Sequence, residues 1–181
     1  MPCIQNLTFD EIELGQSAAL TRTLSRADID MFAAMSGDVN PAHMDEEFAS
    51  SDIFHKFIAH GMWGGALISA VLGTELPGPG TIYLGQSLRF LRPIFLGDTV
   101  TVRVTVRGKN GNRHRVELDC ELKNQDGNVV IEGTAEVVAP TEKICVERPT
   151  LPTVEVRRAE TEVKPNSPDD QLPEAWQREG A

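Results

Sequence analysis

The chain has 181 residues, 40% hydrophobic and 24% charged, enough for one independent core with some chain to spare. Its formal net charge of −10 argues against nucleic acid or an anionic membrane surface as the main partner. Cys3, Cys120 and Cys145 are odd in number and lack metal-ligand spacing, so neither a disulfide framework nor a zinc site is expected.

Met1 to Asp10 carries no basic, apolar leader pattern, which makes a reducing cytoplasm the expected setting. Gln16 to Leu24 reads as a strand. Ser25 is a good N-cap for a short helix, with Asp28 in its first turn and Ile29, Phe32 and Ala33 on one face. The run Phe32 to His43 then cannot be helical throughout, because Gly37 permits unusual backbone angles and Pro41 pushes Asn40 toward extended geometry. It places Asp38 and His43 five residues apart, with Gly, Asn and Pro, the turn formers, between and beside them. If the loop folds back, a carboxylate beside a neutral imidazole makes an acid/base pair near neutral pH. The same residue types also serve as plain caps and turns, so spacing alone leaves both readings open.

After an acidic turn at Asp45-Glu46-Glu47, Ala59 to Leu72 is apolar almost all round, as in a helix buried on most sides. With Gly61 to Gly73 it forms the longest nearly apolar run, too short for a membrane span. Its glycines and alanines admit close neighbours. Gly61, at the helix start, has no side chain to obstruct an oxygen approaching its N–H, and it equally suits tight packing. His60 with His43, Asp45 or His55 is a poor metal set, since His55 and His60 are five apart and not four.

From Thr81 onward the period changes to two. Val100, Val102, Val104 and Val106 alternate with polar residues, as do Val116, Leu118, Cys120 and Leu122, and Val129 to Val138 makes a last strand. Asn110-Gly111 and Asp126-Gly127 mark the hairpins. His114 is expected in a strand, facing solvent. One buried helix followed by an antiparallel meander implies an α+β fold with the sheet wrapped around the helix, of which the hotdog is the best-known form. Six of the eleven prolines lie in the last 42 residues, so residues 1–139 are expected to form the domain and 140–181 a flexible or only locally ordered tail.

The run from Phe32 to His43, followed by the small residue Ala49, resembles the signature of the MaoC-like, (R)-specific enoyl-CoA hydratases, an aromatic residue before Ser-Gly-Asp-x-Asn-Pro-x-His. His60-Gly61-Met62, Ser69, and Thr81 to Phe90 followed by Pro93 and Gly97-Asp98 resemble the same enzymes in the same order, from about Ser17 to Val138. Met35, Ala42, Trp63 and Gly64 depart from the residues usual there. The resemblance implies a hotdog hydratase with Asp38 and His43 as the catalytic pair, Gly61 as the oxyanion donor and Ser69 as support. It also implies an acyl-CoA substrate, no cofactor or metal, and active sites at the interface of a homodimer or dimer of dimers. Some members are fused to a phosphate acyltransferase, which offers a partner domain beyond the C-terminus. Arg89, Arg92, Arg103, Arg107 or Lys109 would have to offset the overall negative field for CoA. Trp63, if it projects into the acyl tunnel, would favour short chains of about four to six carbons. The same fold carries thioesterases, and a non-catalytic acyl-CoA binder or partner subunit is the alternative of another class.

Overall fold

In the computed structural model, which describes residues 3–157, the alternating segments form one sheet and the glycine-rich apolar segment is a helix on its buried face. The chain runs through β1 (Cys3–Gln5), β2 (Ser17–Thr23), α1 (Arg26–Ser36), α2 (Pro41–Met44), α3 (Glu46–Ser51) and α4 (Gly61–Thr74). It continues with β3 (Ile82–Phe90), β4 (Thr99–Asn110), a 3-10 turn (Asn112–His114), β5 (Arg115–Lys123), β6 (Val129–Val138) and β7 (Cys145–Glu147). The sheet order is β2-β4-β5-β6-β3, antiparallel at every step. This is the expected α+β hotdog arrangement.

The period-two stripes decide which face is covered. Val104 lies opposite Cys120, and Leu118 opposite Ala135, so the small and branched residues of three strands share one buried face. Leu67, Ile68, Val71 and Leu72 of α4 join the same core. The helix sits close because position 64 is glycine. A Cβ there would overlap the Ile131 side chain and come within 3.0 Å of Leu122 Cδ2. Trp63, one residue earlier, is 5% exposed and belongs to the core cluster.

One face of the molecule is left apolar. β3 is an edge strand, and Ile82, Leu84 and Phe90 on it are exposed, as is Met62 on α4. Ser69 and Ala66 are exposed on the same side of α4 as Met62, since positions three and four apart share a helix face.

Three findings depart from the sequence reading. First, Cys3 and Cys145 form a disulfide, where none was expected. Counting and spacing cannot show it, because the two lie 142 residues apart and meet only when β1 pairs with β7. Second, the tail does not leave the body at Pro140. The Phe9 N–H donates to the Pro140 carbonyl, and Asn6, fully buried, holds the segment with both ends of its amide. Its Nδ2 donates to Glu142 O at 2.8 Å, and its Oδ1 accepts from Ile144 N–H at 2.9 Å. The part of the 140–181 tail beyond residue 157 lies outside the described residues. Third, His114 is exposed as expected but ends a 3-10 turn before β5 instead of lying in the strand, and it meets the Phe9 ring edge-on at 5.2 Å.

Candidate active site

The loop after α1 is built from short polar side chains that bond their own backbone. Ser25 and Asp28 close a reciprocal cap at the start of α1, and Gly37 ends it in the left-handed region with its N–H on Ala33 O. Asp38 Oδ1 then accepts from Asn40 N–H at 3.2 Å. Asn40, held extended before Pro41, accepts from Ala42 N–H at 3.1 Å and so caps α2. The segment read as loop thus ends in a single helical turn, and that turn carries His43.

His43 is 8% exposed and its tautomer follows from its partner. Nδ1 lies 3.0 Å from the Ile58 carbonyl oxygen, which can only accept, so Nδ1 carries the proton. Nε2, with its lone pair, is left for the cavity that the ring lines. Burial holds the His43 pKa below the usual 6.5. The bond to Ile58 O pulls it back up, neighbouring His60 pushes it down, and Asp38 pushes it up. The imidazole is therefore a neutral base at pH 7.

His60 lies beside it. It is the N-cap residue of α4, but its side chain makes no cap bond. Its ring instead stacks on Phe32 at 4.9 Å and meets His43 in a tilted contact at 4.0 Å, and its Nε2–H donates to the backbone carbonyl of Asp38 at 3.0 Å. The Trp63 N–H is taken by the His60 carbonyl, but no side chain caps the helix start, and Gly61 lines the cavity with the two imidazoles. The Phe90 ring covers Gly61 so closely that a Cβ there would lie 3.0 Å from it.

The cavity measures about 340 Å³ and is mainly apolar, with Phe54, Ile58, Phe90 and Ile131 in its walls. Arg92 is the lysine or arginine among its lining residues. Arg92 also donates through Nη1 to the Val129 carbonyl at 2.7 Å, and the other basic candidates, which do not line the cavity, are engaged as well. Arg103 donates to Ser17, Arg107 pairs with Glu117 and Asp119, Lys109 donates to Ile12 O, and Arg89 faces Glu132.

The donor atoms of Asp38, His43 and His60 all lie within 4.8 Å of one another, yet no hydrogen bond among the described residues joins the carboxylate to either ring. Such a gap suits one water bonded to both sides. These three are also the one grouping of metal-ligating side chains among the described residues. The two rings are tilted by 36°, and one nitrogen of each is already committed to a backbone carbonyl, His43 Nδ1 to Ile58 O and His60 Nε2 to Asp38 O. Cys120 offers no nucleophile, because burial pushes its thiol up to about 11.

Of the residues singled out in the sequence, His43 and Gly61 line this cavity, while Asp38 is not among the lining residues but lies with its carboxylate within 4.8 Å of nitrogens of His43 and His60. Ser69 and Trp63 are not among the cavity-lining residues. Ser69 is eight residues beyond Gly61 on one helix, about 12 Å along its axis. Trp63 packs in the core because two residues turn a helix by roughly 200°, away from the face that carries Gly61. His60, Phe32 and Phe90 were missed as site residues. The available signal was a histidine, and not a Ser, Thr, Asp or Asn, at the cap position of an apolar helix.

Residues 10–127 match the family model described as a MaoC like domain. The chain belongs to the MaoC-like family. It is 49% identical over 134 residues to the (R)-specific enoyl-CoA hydratase of Rhodospirillum rubrum, covering 73% of this chain and 91% of that one. The (R)-specific enoyl-CoA hydratase of Aeromonas caviae is 40% identical over 134 residues, 74% of this chain and all of its own. Among solved structures, the unliganded R-hydratase of Pseudomonas aeruginosa superposes with a TM-score of 0.82 at 46% identity, covering 86% of this chain and all of that one. The MaoC-like chain thus keeps its family's fold, and its surplus length lies largely beyond the matched region.

Proposed function

We propose that this MaoC-like protein is a hydro-lyase that adds water to trans-2-enoyl-CoA to give the (R)-3-hydroxyacyl-CoA. The observation that carries the reading is the grouping of the Asp38 carboxylate with the buried His43 imidazole, within 4.8 Å and without a direct hydrogen bond, beside a cavity that Gly61 also lines. The similarity to named (R)-specific hydratases supports both the substrate class and the stereochemistry.

In this mechanism Asp38 and His43 are the catalytic residues. They share one water, which gives its hydroxyl to C3 while a proton is delivered to C2, so their protonation is coupled. Attack at C3 pushes charge onto the thioester oxygen, where the Gly61 N–H stabilises it by a few kcal/mol (about 3–4 for comparable donors). Atoms balance with water alone, and no electrons leave or enter, so the reaction calls on no cofactor. Arg92 is placed to meet the negative CoA end at the cavity.

The exposed apolar edge of β3 and face of α4 support a two-fold homodimer through these elements. A supporting role for Ser69 then needs a second copy of the chain, since Gly61 and its own cavity lie about 12 Å away along the helix.

Crotonyl-CoA tests the reading directly. Loss of absorbance at the enoyl-thioester band, with chiral analysis showing the (R)-3-hydroxy product, is the expected result. Release of free thiol without loss of the double bond would replace hydration by thioester hydrolysis.

A further inference from the structure

His60 is 2% exposed and has two distinct nitrogens. Nε2–H reaches across 22 residues to the Asp38 carbonyl, and Nδ1 has no partner among the described residues. A side chain kept only to fill this space would not leave a buried polar atom without a bond, because such an atom is destabilising and an apolar residue of similar shape avoids it. The ring is also boxed in, with Phe32 on one side and His43 on the other, so its Nε2–H has little freedom to point elsewhere. The receiving carbonyl belongs to the residue whose carboxylate faces His43. Within the loop, that carboxylate is otherwise steadied by one 3.2 Å bond from Asn40 N–H.

We propose that His60 is a positioning residue: by clamping the Asp38 carbonyl to the start of α4, it sets the distance between the Asp38 carboxylate and the His43 imidazole. This rests on the hydratase reading above. It ties three segments to one frame: the loop with Asp38, the helical turn with His43, and the helix end with Gly61. Without the bond, the exposed loop drifts relative to the buried imidazole, and a misplacement of about 1 Å in such a site lowers turnover by on the order of 100-fold.

Two variants separate the bond from the packing. His60→Phe keeps a ring between Phe32 and His43 but removes the donor. His60→Gln loses the ring but retains an amide N–H at the Nε2 position. With crotonyl-CoA, His60→Phe is expected to lower kcat by about 10- to 100-fold with KM changed less than about 3-fold, and His60→Gln to recover most of that loss. Equal loss in both variants, or near-normal kcat in His60→Phe, overturns the proposal. Should either variant fail to fold by thermal unfolding, the unmodified protein still decides it. The long-range proton–nitrogen imidazole spectrum should show His60 protonated at Nε2, and a proton on Nδ1 alone would refute the clamp. An unmodified protein inactive on crotonyl-CoA would sink the hydratase reading, while the same spectrum still reports on the His60 bond to Asp38.

Discussion

Replacing Asp38 by Asn keeps the local fold, because the Asn side-chain oxygen can still accept from Asn40 N–H. Replacing His43 by Asn likewise keeps a donor where Nδ1–H meets Ile58 O, though it leaves a small void. In the proposed mechanism both changes remove proton transfer to or from the shared water. Each alone is expected to lower kcat by about 100-fold, or about 2.7 kcal/mol of barrier. Independent effects would multiply to about 10,000-fold in the double variant, about 5.4 kcal/mol. The proposed mechanism argues otherwise, since the carboxylate and the ring nitrogen stand within 4.8 Å with no direct bond and both act on one water in it. Once either partner is lost that water is no longer activated, so the double variant should be at most a few-fold worse than the poorer single one. Turnover of crotonyl-CoA by all four proteins, with melting curves to confirm folding, measures the cycle. A fully multiplicative loss would show that the two residues act on different steps, and near-normal turnover in either single variant would remove the pair altogether.

Because burial holds His43 below 6.5, the acid limb of kcat/KM should fall below that of an ordinary histidine; a limb at or above 6.5 contradicts the geometry. The stability sign follows: the unfolded chain binds the His43 proton more readily, so this contribution is lost as pH falls from 6.5 toward the lower folded value, which acid titration of the melting temperature reads. Gly64→Ala should lower stability by about 1–2 kcal/mol, overpacking against Ile131 and Leu122 outweighing the roughly 1 kcal/mol gain in helix propensity; a raised melting temperature would refute the close packing. Trp63→Leu should lower the melting temperature yet leave the ratio of octenoyl-CoA to crotonyl-CoA turnover unchanged, and a shift toward octenoyl-CoA would place the indole in the acyl path. A chain stopped after residue 150 keeps the disulfide and the Asn6 bonds and should remain a folded, active dimer by light scattering and turnover, whereas Asn6→Ala should cost about 1–3 kcal/mol in denaturant unfolding.

The elements were legible because their causes are local. The valines of β4 alternate since one face of a strand is covered, and Ser25 with Asp28 caps α1 within four residues. The turn chemistry of Asn40-Pro41 is equally short in range, and it delivers Asp38 and His43 to the same place. Resemblance to known hydratases supplied the role proposed for that pair, which spacing alone left open. Tertiary structure decided the rest. Trp63 faces the core and Gly61 the cavity because of where α4 meets the sheet, and its own residues, apolar all round, do not mark which side is which. The tautomer of His43 depends on a carbonyl fifteen residues away, and the bond from His60 to Asp38 spans twenty-two. Cys3 and Cys145 meet only after β1 pairs with β7. Each of these contacts joins segments with no pattern linking them along the chain, so each becomes visible only when packing of the core has brought them together.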